Sequence, residues 1–295
     1  MHLAQLGRSL AFEREISPDD RMLEGDREQY YRWGLAALDY VHVALRAAEF
    51  EGQPRTVLDF ACGHGRVARM LRAGFPDAAM TVCDINSDAV EFCARTFDAT
   101  PVQGEALPEK TELHGRFALI WVGSLFSHLD APRWDGFLRL LCDHLESGGV
   151  LVFTTLGRTI AAEIRSGRRR LAIADPDSLA ATFDERGFAY QDYVTAPGYG
   201  IALARPSWVC EVLQRFPELE LVTYGERAWL GRQDAIACRQ RPGERDRSAA
   251  VSSSESAQSS PPAGSDASAV APGPAAGAGT DADEPPSEAA PAVGS

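Results

Sequence analysis

The chain has 295 residues, is 45% hydrophobic and carries a formal net charge of -13 at pH 7. It is long enough to bury a core, and its acidity argues against nonspecific binding to nucleic-acid phosphates. No apolar run approaches membrane-spanning length and the N-terminus lacks the pattern of a signal peptide, so we expect a cytoplasmic protein without a membrane partner.

The first predicted helix begins at Asp26 and runs to about Glu49, after an irregular segment at residues 1–25. Its apolar residues recur at steps of three and four, and they include Tyr30 and Trp33. This periodicity predicts one buried face that packs against a sheet.

The next stretch, VLDFACGHGRVARML, combines a strand, a glycine-containing turn and an amphipathic helix. Asp59 ends the apolar run four residues before Gly63, and Gly65 follows two residues later. Glycine allows tight backbone dihedral angles and close approach of a ligand, which predicts a nucleotide-binding loop. Gly63, Gly65 and Ala68 also satisfy the dinucleotide pattern G-x-G-x-x-A, so the loop alone fits two cofactors.

Further strands and helices alternate after this loop. Asp84 ends the second strand, nineteen residues after Gly65, where a doubly wound sheet places a carboxylate beside a ribose. The remaining predicted strands are residues 100–103, 117–122 and 150–155, followed by a hairpin-like pair at 219–224 and 234–239, with helices starting near Ser87, Pro132 and Pro206.

The order of Asp59, Gly63, Gly65 and Asp84, with the closing strand pair, resembles the class I S-adenosylmethionine-dependent methyltransferases over about residues 26–239. The resemblance implies an α/β, Rossmann-like fold with a seven-stranded, mostly parallel sheet, helices on both faces and an antiparallel final strand. In NAD-binding folds the first glycine usually follows the strand almost directly, whereas Asp59 and three more residues intervene here. The cofactor implied is S-adenosyl-L-methionine.

The resemblance also implies site residues. In that family a G-D-A segment places an acid near adenine; this chain has Glu105 there, and a solvated loop glutamate is the alternative. The helix before the first strand often crosses the cofactor mouth, so its aromatic residues are either substrate contacts or core residues. The expected cofactor contacts are Asp59, Ala61, Cys62, Gly63, Gly65, Asp84, Ile85, Glu105, Ala106 and Gly123, and the substrate-side candidates are Tyr30, Tyr31, Trp33 and Phe126.

His128 follows the fourth predicted strand and is the candidate general base. An unperturbed imidazole titrates near neutral pH, and ligands of open parallel sheets bind beyond the carboxyl ends of the strands. A structural role beside Asp130 is the alternative.

Residues 156–204 interrupt the pattern and are predicted to be an insertion that forms a lid on the substrate side. Its basic cluster, Arg168 to Arg170, either holds an anionic substrate or is a solvated charge run. The methyltransferase domain is thus predicted at residues 26–240. Residues 241–295 are rich in Ala, Ser, Pro and Gly and contain no aromatic residue, leucine or isoleucine, which predicts a disordered tail.

We therefore expect methyl transfer to a small-molecule or glycan-like acceptor of small or medium size, such as a saccharide or another metabolite. The alternatives are an NAD-dependent oxidoreductase and a catalytically inactive cofactor-binding module that acts through the tail. No nucleic-acid partner is expected. The six cysteines form no CxxC pair and no metal-ligand spacing with histidine, which predicts free thiols and no metal site.

Overall fold

The computed structural model describes residues 10–23 and 25–241. Residues 10–23 contain no helix or strand. The predicted tail lies outside the described residues, apart from Arg241. None of the described helices is long and apolar enough to cross a membrane.

The described residues form an α/β structure. Its helices are α1 (Arg27–Ala47), α2 (Ala68–Gly74), α3 (Ser87–Phe97), α4 (Ala131–Asp143), α5 (Arg158–Arg165), α6 (Pro176–Arg186) and α7 (Pro206–Leu213), with 3₁₀ turns at Pro108–Lys110 and Phe126–His128. Its strands are β1 (Thr56–Phe60), β2 (Ala79–Asp84), β3 (Thr100–Gln103), β4 (Phe117–Val122), β5 (Leu145–Thr155), β6 (Phe188–Tyr193), β7 (Ala196–Ala204), β8 (Leu219–Trp229) and β9 (Gln233–Gln240).

The main sheet has seven strands in the order β3-β2-β1-β4-β5-β9-β8. Strands β1 to β5 are parallel, and β9 is antiparallel to both β5 and β8. This confirms the predicted Rossmann-like sheet with an antiparallel final strand. The order reverses between β1 and β4, the place where open parallel sheets bind ligands.

The strands separate two apolar cores because successive side chains point to opposite faces. On β1, Val57 belongs to the core under α1, α2 and α3, whereas Leu58 belongs to the core under α4 and α7. The same alternation continues on β4, where Leu119 and Ile120 are both fully buried in different cores. Helices therefore cover both faces of the sheet, as predicted.

The helix starts follow from short polar side chains that accept hydrogen bonds from the first free backbone N–H groups. Asp26, Asn86 and Asp130 cap α1, α3 and α4 in this way. The cap of α4 fixes the chain two residues after His128.

Residues 156–204 form the α5, α6 and β6–β7 structure, whose apolar core includes Ile160, Phe183 and Leu203. The sequence predicts a short helix around residues 178–186 and strands at residues 188–193 and 199–203, which correspond to α6, β6 and β7, but it does not predict α5. Only two turns long, α5 is too short to establish a clear helical period. β5 begins at Leu145 rather than at the predicted Val150. Its pairing with β4 shifts register, which accommodates the polar residues and glycines between Leu145 and Val150.

Candidate functional site

A cavity of about 1090 Å³ lies at the carboxyl ends of β1, β2 and β4, where the strand order reverses. Small-molecule and cofactor pockets usually measure roughly 300–1,000 Å³. The volume therefore accommodates a cofactor together with a small second ligand. Its walls come from residues 18–22, the glycine loop, the segments after β2 and β4, Tyr199 of β7, Trp229 of β8 and Gln233 of β9.

The glycine loop follows β1 as the sequence predicts, and its two glycines have different roles. Gly63 has a φ of 52°, and a Cβ placed on it would meet no atom within 4 Å, so a ligand can approach its backbone closely. Gly65 has a φ of 81°, and its Cβ would lie 2.2 Å from a ring carbon of Phe97. Gly63, with Ala61 and Cys62, therefore lines the cavity, whereas Gly65 allows α3 to pack on the loop.

Asp84 connects the end of β2 to the glycine loop. Its Oδ2 accepts a hydrogen bond from the Gly63 N–H at 2.8 Å, and its Oδ1 accepts one from the Asn86 N–H at 2.9 Å. These contacts fix a carboxylate at the cavity wall while leaving lone pairs for ligand hydroxyls. The neighbouring Ile85 is 62% exposed and also lines the cavity, so it offers an apolar surface beside the carboxylate.

Asp59 is a buried carboxyl group at the end of β1. It is 1% exposed, lines the cavity, and its Oδ2 has no hydrogen-bond partner among the described residues. Burial, followed by the negative charge of Asp84, raises the pKa of Asp59 well above its usual range. A buried polar atom of this kind favours a ligand that brings a hydrogen-bond donor or a positive charge.

Three tryptophans form one wall of the cavity. The Trp229 ring packs edge-to-face on Trp33 at 5.0 Å and on Trp121 at 5.4 Å, and its Nε1–H donates to the Trp33 carbonyl at 2.9 Å. Gly123 lines the same region, since a Cβ there would lie 2.9 Å from Trp121 Nε1. Trp33 therefore lies at the cavity wall, and its contact with substrate stays a prediction. Sequence reasoning did not single out Trp121 and Trp229, because tryptophans within strands have the same pattern as core residues.

Ser124 follows β4 in a strained conformation that three hydrogen bonds maintain. Its φ is 64°, in the left-handed region that non-glycine residues rarely adopt. Its N–H donates to Thr154 Oγ1 at 2.8 Å, and its Oγ accepts from Gln233 Nε2 at 2.8 Å, while Thr154 Oγ1 donates to Gln233 Oε1 at 2.7 Å. Such over-determined strain is common at binding sites. The sequence gives no local signal for this network, since its members are far apart in the chain.

His128 lies at the cavity in a defined tautomeric form. Its Nδ1 is 2.7 Å from the Gly200 carbonyl, which can only accept a hydrogen bond, so Nδ1 carries the proton and Nε2 keeps its lone pair. Burial lowers the pKa of His128 below its usual value, although the Gly200 contact raises it. Tyr199 stacks on the imidazole at 4.8 Å and lines the cavity with it. The inserted hairpin thus contributes directly to the site.

Tyr30 and Tyr31 do not line the cavity. Tyr30 is 2% exposed and donates to Asp20 Oδ2 at 2.6 Å, and Tyr31 donates to the Arg14 carbonyl at 2.8 Å. Both tyrosines therefore anchor residues 10–23, of which residues 18–22 line the cavity. Arg69 anchors the same segment.

Phe126, Glu105 and Ala106 also lie away from the cavity lining. Phe126 is fully buried, with its ring 4.7 Å from Trp134, so an enclosed ring replaces the predicted substrate contact. Glu105 and Ala106 are exposed in the loop after β3, where the Glu105 N–H donates to Thr111 Oγ1 at 3.0 Å. This geometry favours the solvated-loop interpretation of Glu105.

The arginine cluster of the insertion is directed to solvent rather than to the cavity. Arg168 and Arg170 are exposed, and Arg169 Nε donates to Glu163 Oε2 at 2.9 Å.

All six cysteines are free thiols. Within residues 10–23 and 25–241, no group of histidine, cysteine and acidic residues is arranged to hold a metal ion.

Comparisons with known proteins agree with this geometry. Residues 57–149 match a family model described as a methyltransferase domain. The chain is 30% identical over 122 residues to a malonyl-[acyl-carrier protein] O-methyltransferase of Acetivibrio thermocellus and 34% identical over 121 residues to a fatty-acid O-methyltransferase of Mycolicibacterium smegmatis. Each alignment covers 40% of this chain and 42% of the relative.

A solved structure of the plantazolicin methyltransferase BpumL in complex with SAH has a similar fold. The TM-score is 0.51 at 14% sequence identity, and the match covers 81% of this chain and 94% of that one. The seven-stranded sheet and the cavity at its switch point thus define the class I, Rossmann-like methyltransferase fold. The matched residues 57–149 carry the glycine loop, Asp84 and β4.

Proposed function

We propose that this protein transfers the methyl group of S-adenosyl-L-methionine to an oxygen atom of a small or medium acceptor. The observation that carries the proposal is the convergence of Asp59, Gly63 and Asp84 on one cavity within the segment that matches the methyltransferase family. The chain spans 42% of the length of the two curated relatives, so their activities enter here as support for the proposal.

The residues at the cavity fit S-adenosyl-L-methionine chemically. The open space at Gly63 admits a ligand against the backbone, and Asp84 is positioned to accept hydrogen bonds from ribose hydroxyls. The unpartnered Oδ2 of Asp59 suits a cationic ligand, and the exposed Ile85 suits the face of a base. When bound, the cofactor supplies an electrophilic methyl carbon, and the protein mainly orients the reactants and excludes water.

His128 is the proposed general base. A hydroxyl acceptor must lose a proton during methyl transfer, and the neutral imidazole presents the Nε2 lone pair to receive it. The lowered pKa of His128 keeps the ring neutral at physiological pH. Both curated relatives are named O-methyltransferases, which favours an oxygen acceptor. Saccharide hydroxyls fit this requirement and remain the proposed example.

Two alternatives lead to different results in experiments. A hydride-transferring enzyme would bind NADH, but the family match and Asp59 ahead of the glycine loop favour a methyl donor. An inactive module that works through residues 241–295 would bind the cofactor without turnover, and deletion of those residues would abolish its biological effect.

The proposal is tested with labelled S-adenosyl-L-methionine and a panel of saccharides, phenols and carboxylic acids, followed by mutation of His128. With the best hydroxyl acceptor, His128→Ala should lower turnover by about 10²- to 10⁴-fold, the usual contribution of a general base, and leave cofactor affinity unchanged.

The turnover of the wild type should also depend on pH. It should be constant near neutral pH and fall as the pH decreases through the lowered pKa of His128, because protonation removes the Nε2 lone pair.

His144→Ala is the matched control. His144 also places Nδ1 against a backbone carbonyl, that of Gly115 at 2.8 Å, but it lies at the end of α4 and outside the cavity lining. We expect its turnover to equal that of the wild type. An unchanged rate and pH profile in His128→Ala would remove this residue from the mechanism.

A further inference from the structure

Two backbone carbonyls of the inserted β6–β7 hairpin bind the corner between the Phe126–His128 turn and α4. His128 Nδ1 contacts the Gly200 carbonyl at 2.7 Å, and Arg133 Nη1 donates to the Gly198 carbonyl at 2.7 Å. The two carbonyls are two residues apart on β7, and both face this corner. His128 and Arg133 thus hold the same edge of the hairpin.

Arg133 is itself fixed by a closed set of polar contacts. Its Nε donates to the helix-capping Asp130 at 3.0 Å, and its Nη2 donates to the Tyr190 hydroxyl at 3.1 Å. The Tyr190 hydroxyl donates to Asp192 Oδ1 at 2.6 Å, and Asp192 Oδ2 accepts from the Gly198 N–H at 2.9 Å. The guanidinium therefore joins the start of α4 to both strands of the hairpin.

The hairpin lies outside the main sheet, and Leu203 near the end of β7 is buried in the apolar core of the insertion. The contacts of His128 and Arg133 therefore act on the Gly198–Gly200 part of the strand. Gly200 packs tightly on β6, since a Cβ there would lie 2.0 Å from the Gln191 carbonyl oxygen, so the two strands should move together at this point. A displaced hairpin would carry the Gly200 carbonyl and the Tyr199 ring away from His128 together.

We propose that Arg133 is a positioning residue that docks the hairpin so that the Gly200 carbonyl selects the Nδ1–H tautomer of His128. Tyr199 stays stacked on the imidazole as a result, and Nε2 is left to accept a proton. The catalytic consequence rests on the proposed function. The tautomer and the docking of the hairpin do not, and they are observable without turnover.

The test uses ¹⁵N nuclear magnetic resonance of the histidine rings in the full chain with S-adenosylhomocysteine added. In the wild type, Nδ1 of His128 should have a pyrrole-like signal and Nε2 a pyridine-like signal. In Arg133→Met the two signals should move toward a common, averaged position, because the tautomers exchange once the carbonyl is displaced. Arg133→Lys retains one donor for Gly198 and should recover part of the wild-type difference.

Arg139→Met is the control, because Arg139 lies on the same helix but pairs with Glu218 away from the cavity, and its spectrum should match the wild type. With a turnover assay available, Arg133→Met should lower the rate about tenfold with little change in cofactor affinity.

Tyr190→Phe is the substitute variant if Arg133→Met does not fold. It removes the hydroxyl between Arg133 and Asp192, and its His128 ¹⁵N signals should also move toward an averaged position.

The proposal would be overturned if a folded Arg133→Met variant gave the same His128 signals as the wild type. If Arg133→Met does not fold, wild-type signals in Tyr190→Phe would overturn it. Failure of the wild type to bind S-adenosylhomocysteine would instead contradict the proposed function. The tautomer of His128 would still be readable in that case, so the two failures are distinguishable.

Discussion

Asp59 and Asp84 end adjacent parallel strands, yet their environments differ. Asp84 accepts two backbone hydrogen bonds, from Gly63 and Asn86, whereas Asp59 is enclosed with one oxygen unpartnered among the described residues. A protein that leaves a buried carboxyl unpartnered loses stability in the free state and gains it when a ligand supplies the partner. Asp59 is therefore expected to serve ligand binding at the expense of stability.

Asp59→Asn should stabilise the free protein at neutral pH by about 1–2 kcal/mol, because it removes the cost of burying a charge. The raised pKa of Asp59 means that the folded state binds a proton more tightly than the unfolded state. Wild-type stability should therefore fall as the pH rises from the ordinary aspartate value of 3.8 through the raised pKa, and this loss should be absent in the variant.

Thermal unfolding from pH 4 to 8 measures this difference, which corresponds to a shift of roughly 2–4 °C in melting temperature for each kcal/mol. Cofactor affinity should decrease in the same variant, since the neutral amide no longer attracts a cation. A less stable Asp59→Asn with the same pH dependence as the wild type would contradict this account.

The two loop glycines provide a matched pair of substitutions. Gly63→Ala should lower stability by about 1 kcal/mol, because alanine is strained at the positive φ of this position. Its methyl group would enter the open space beside Gly63 in the cavity and lower cofactor affinity at least tenfold. Gly65→Ala should cost about 2–4 kcal/mol, because strain and a collision with Phe97 add. Chemical denaturation and calorimetry with S-adenosylhomocysteine separate the two effects. Equal losses of stability in both variants would disprove the assignment of separate roles.

At the residue scale, the sequence predicted that Asp59, Gly63 and Asp84 lie close together. Asp59 and Asp84 lie at the carboxyl ends of predicted strands and Gly63 follows the first of them, and parallel strands bring these ends together. The tryptophan wall and the Ser124 network could not be predicted, because Trp229 and Gln233 reach the site only through the pairing of β8 and β9 with distant β5. Phe126 is enclosed by Trp134 and Phe153. The spacing of apolar residues along the sequence does not show that these rings meet.

At the element scale, residues 10–23 form a strap that is held by Arg69 of α2, and residues 18–22 of this strap line the cavity. Arg69 is 1% exposed; its Nη1 donates to the carbonyls of Glu13 and Glu15, each at 2.8 Å, and its Nε donates to the Gly65 carbonyl at 3.1 Å. One side chain thus connects the strap to the cofactor loop. The guanidinium also lies over the Tyr30 ring, whose hydroxyl binds Asp20 of the strap.

Arg69→Met should release the strap and destabilise the protein by about 2–3 kcal/mol, since hydrogen bonds to a charged group are lost. Amide hydrogen exchange at residues 10–23 should become faster. Arg72→Met is the control, because Arg72 on the same helix binds the carbonyls of Phe97 and Asp98 instead. Equal exchange rates at residues 10–23 in both variants would show that Arg69 does not hold the strap.

The elements of the main sheet were most predictable where the strand is short and apolar, as in β1 and β4, and least so at the extended ends of β5 and β8. The predicted closing pair of strands corresponds to β8 and β9. The strap was predictable only as an irregular segment. Its contacts run from backbone carbonyls to a buried arginine, and neither partner has a periodic pattern that the sequence could reveal.

At the scale of the whole molecule, the cavity is assembled from three parts of the described chain. The sheet provides the ends of β1, β2 and β4, residues 18–22 of the strap form part of the wall, and the inserted hairpin brings Tyr199 to His128. We expect the strap and the hairpin to determine which acceptor enters, since the relatives match this chain over only about 120 residues. Different acceptors are thus compatible with one cofactor site.

The central claim, that the carboxyl ends of β1 and β2 bind S-adenosyl-L-methionine, is tested most directly by calorimetry of the purified protein. The wild type should bind S-adenosyl-L-methionine and S-adenosylhomocysteine but not NADH. Asp84→Ala should weaken binding by about 1–3 kcal/mol through lost charge-assisted hydrogen bonds. Binding of NADH without binding of S-adenosyl-L-methionine, or an unchanged affinity in Asp84→Ala, would contradict the account.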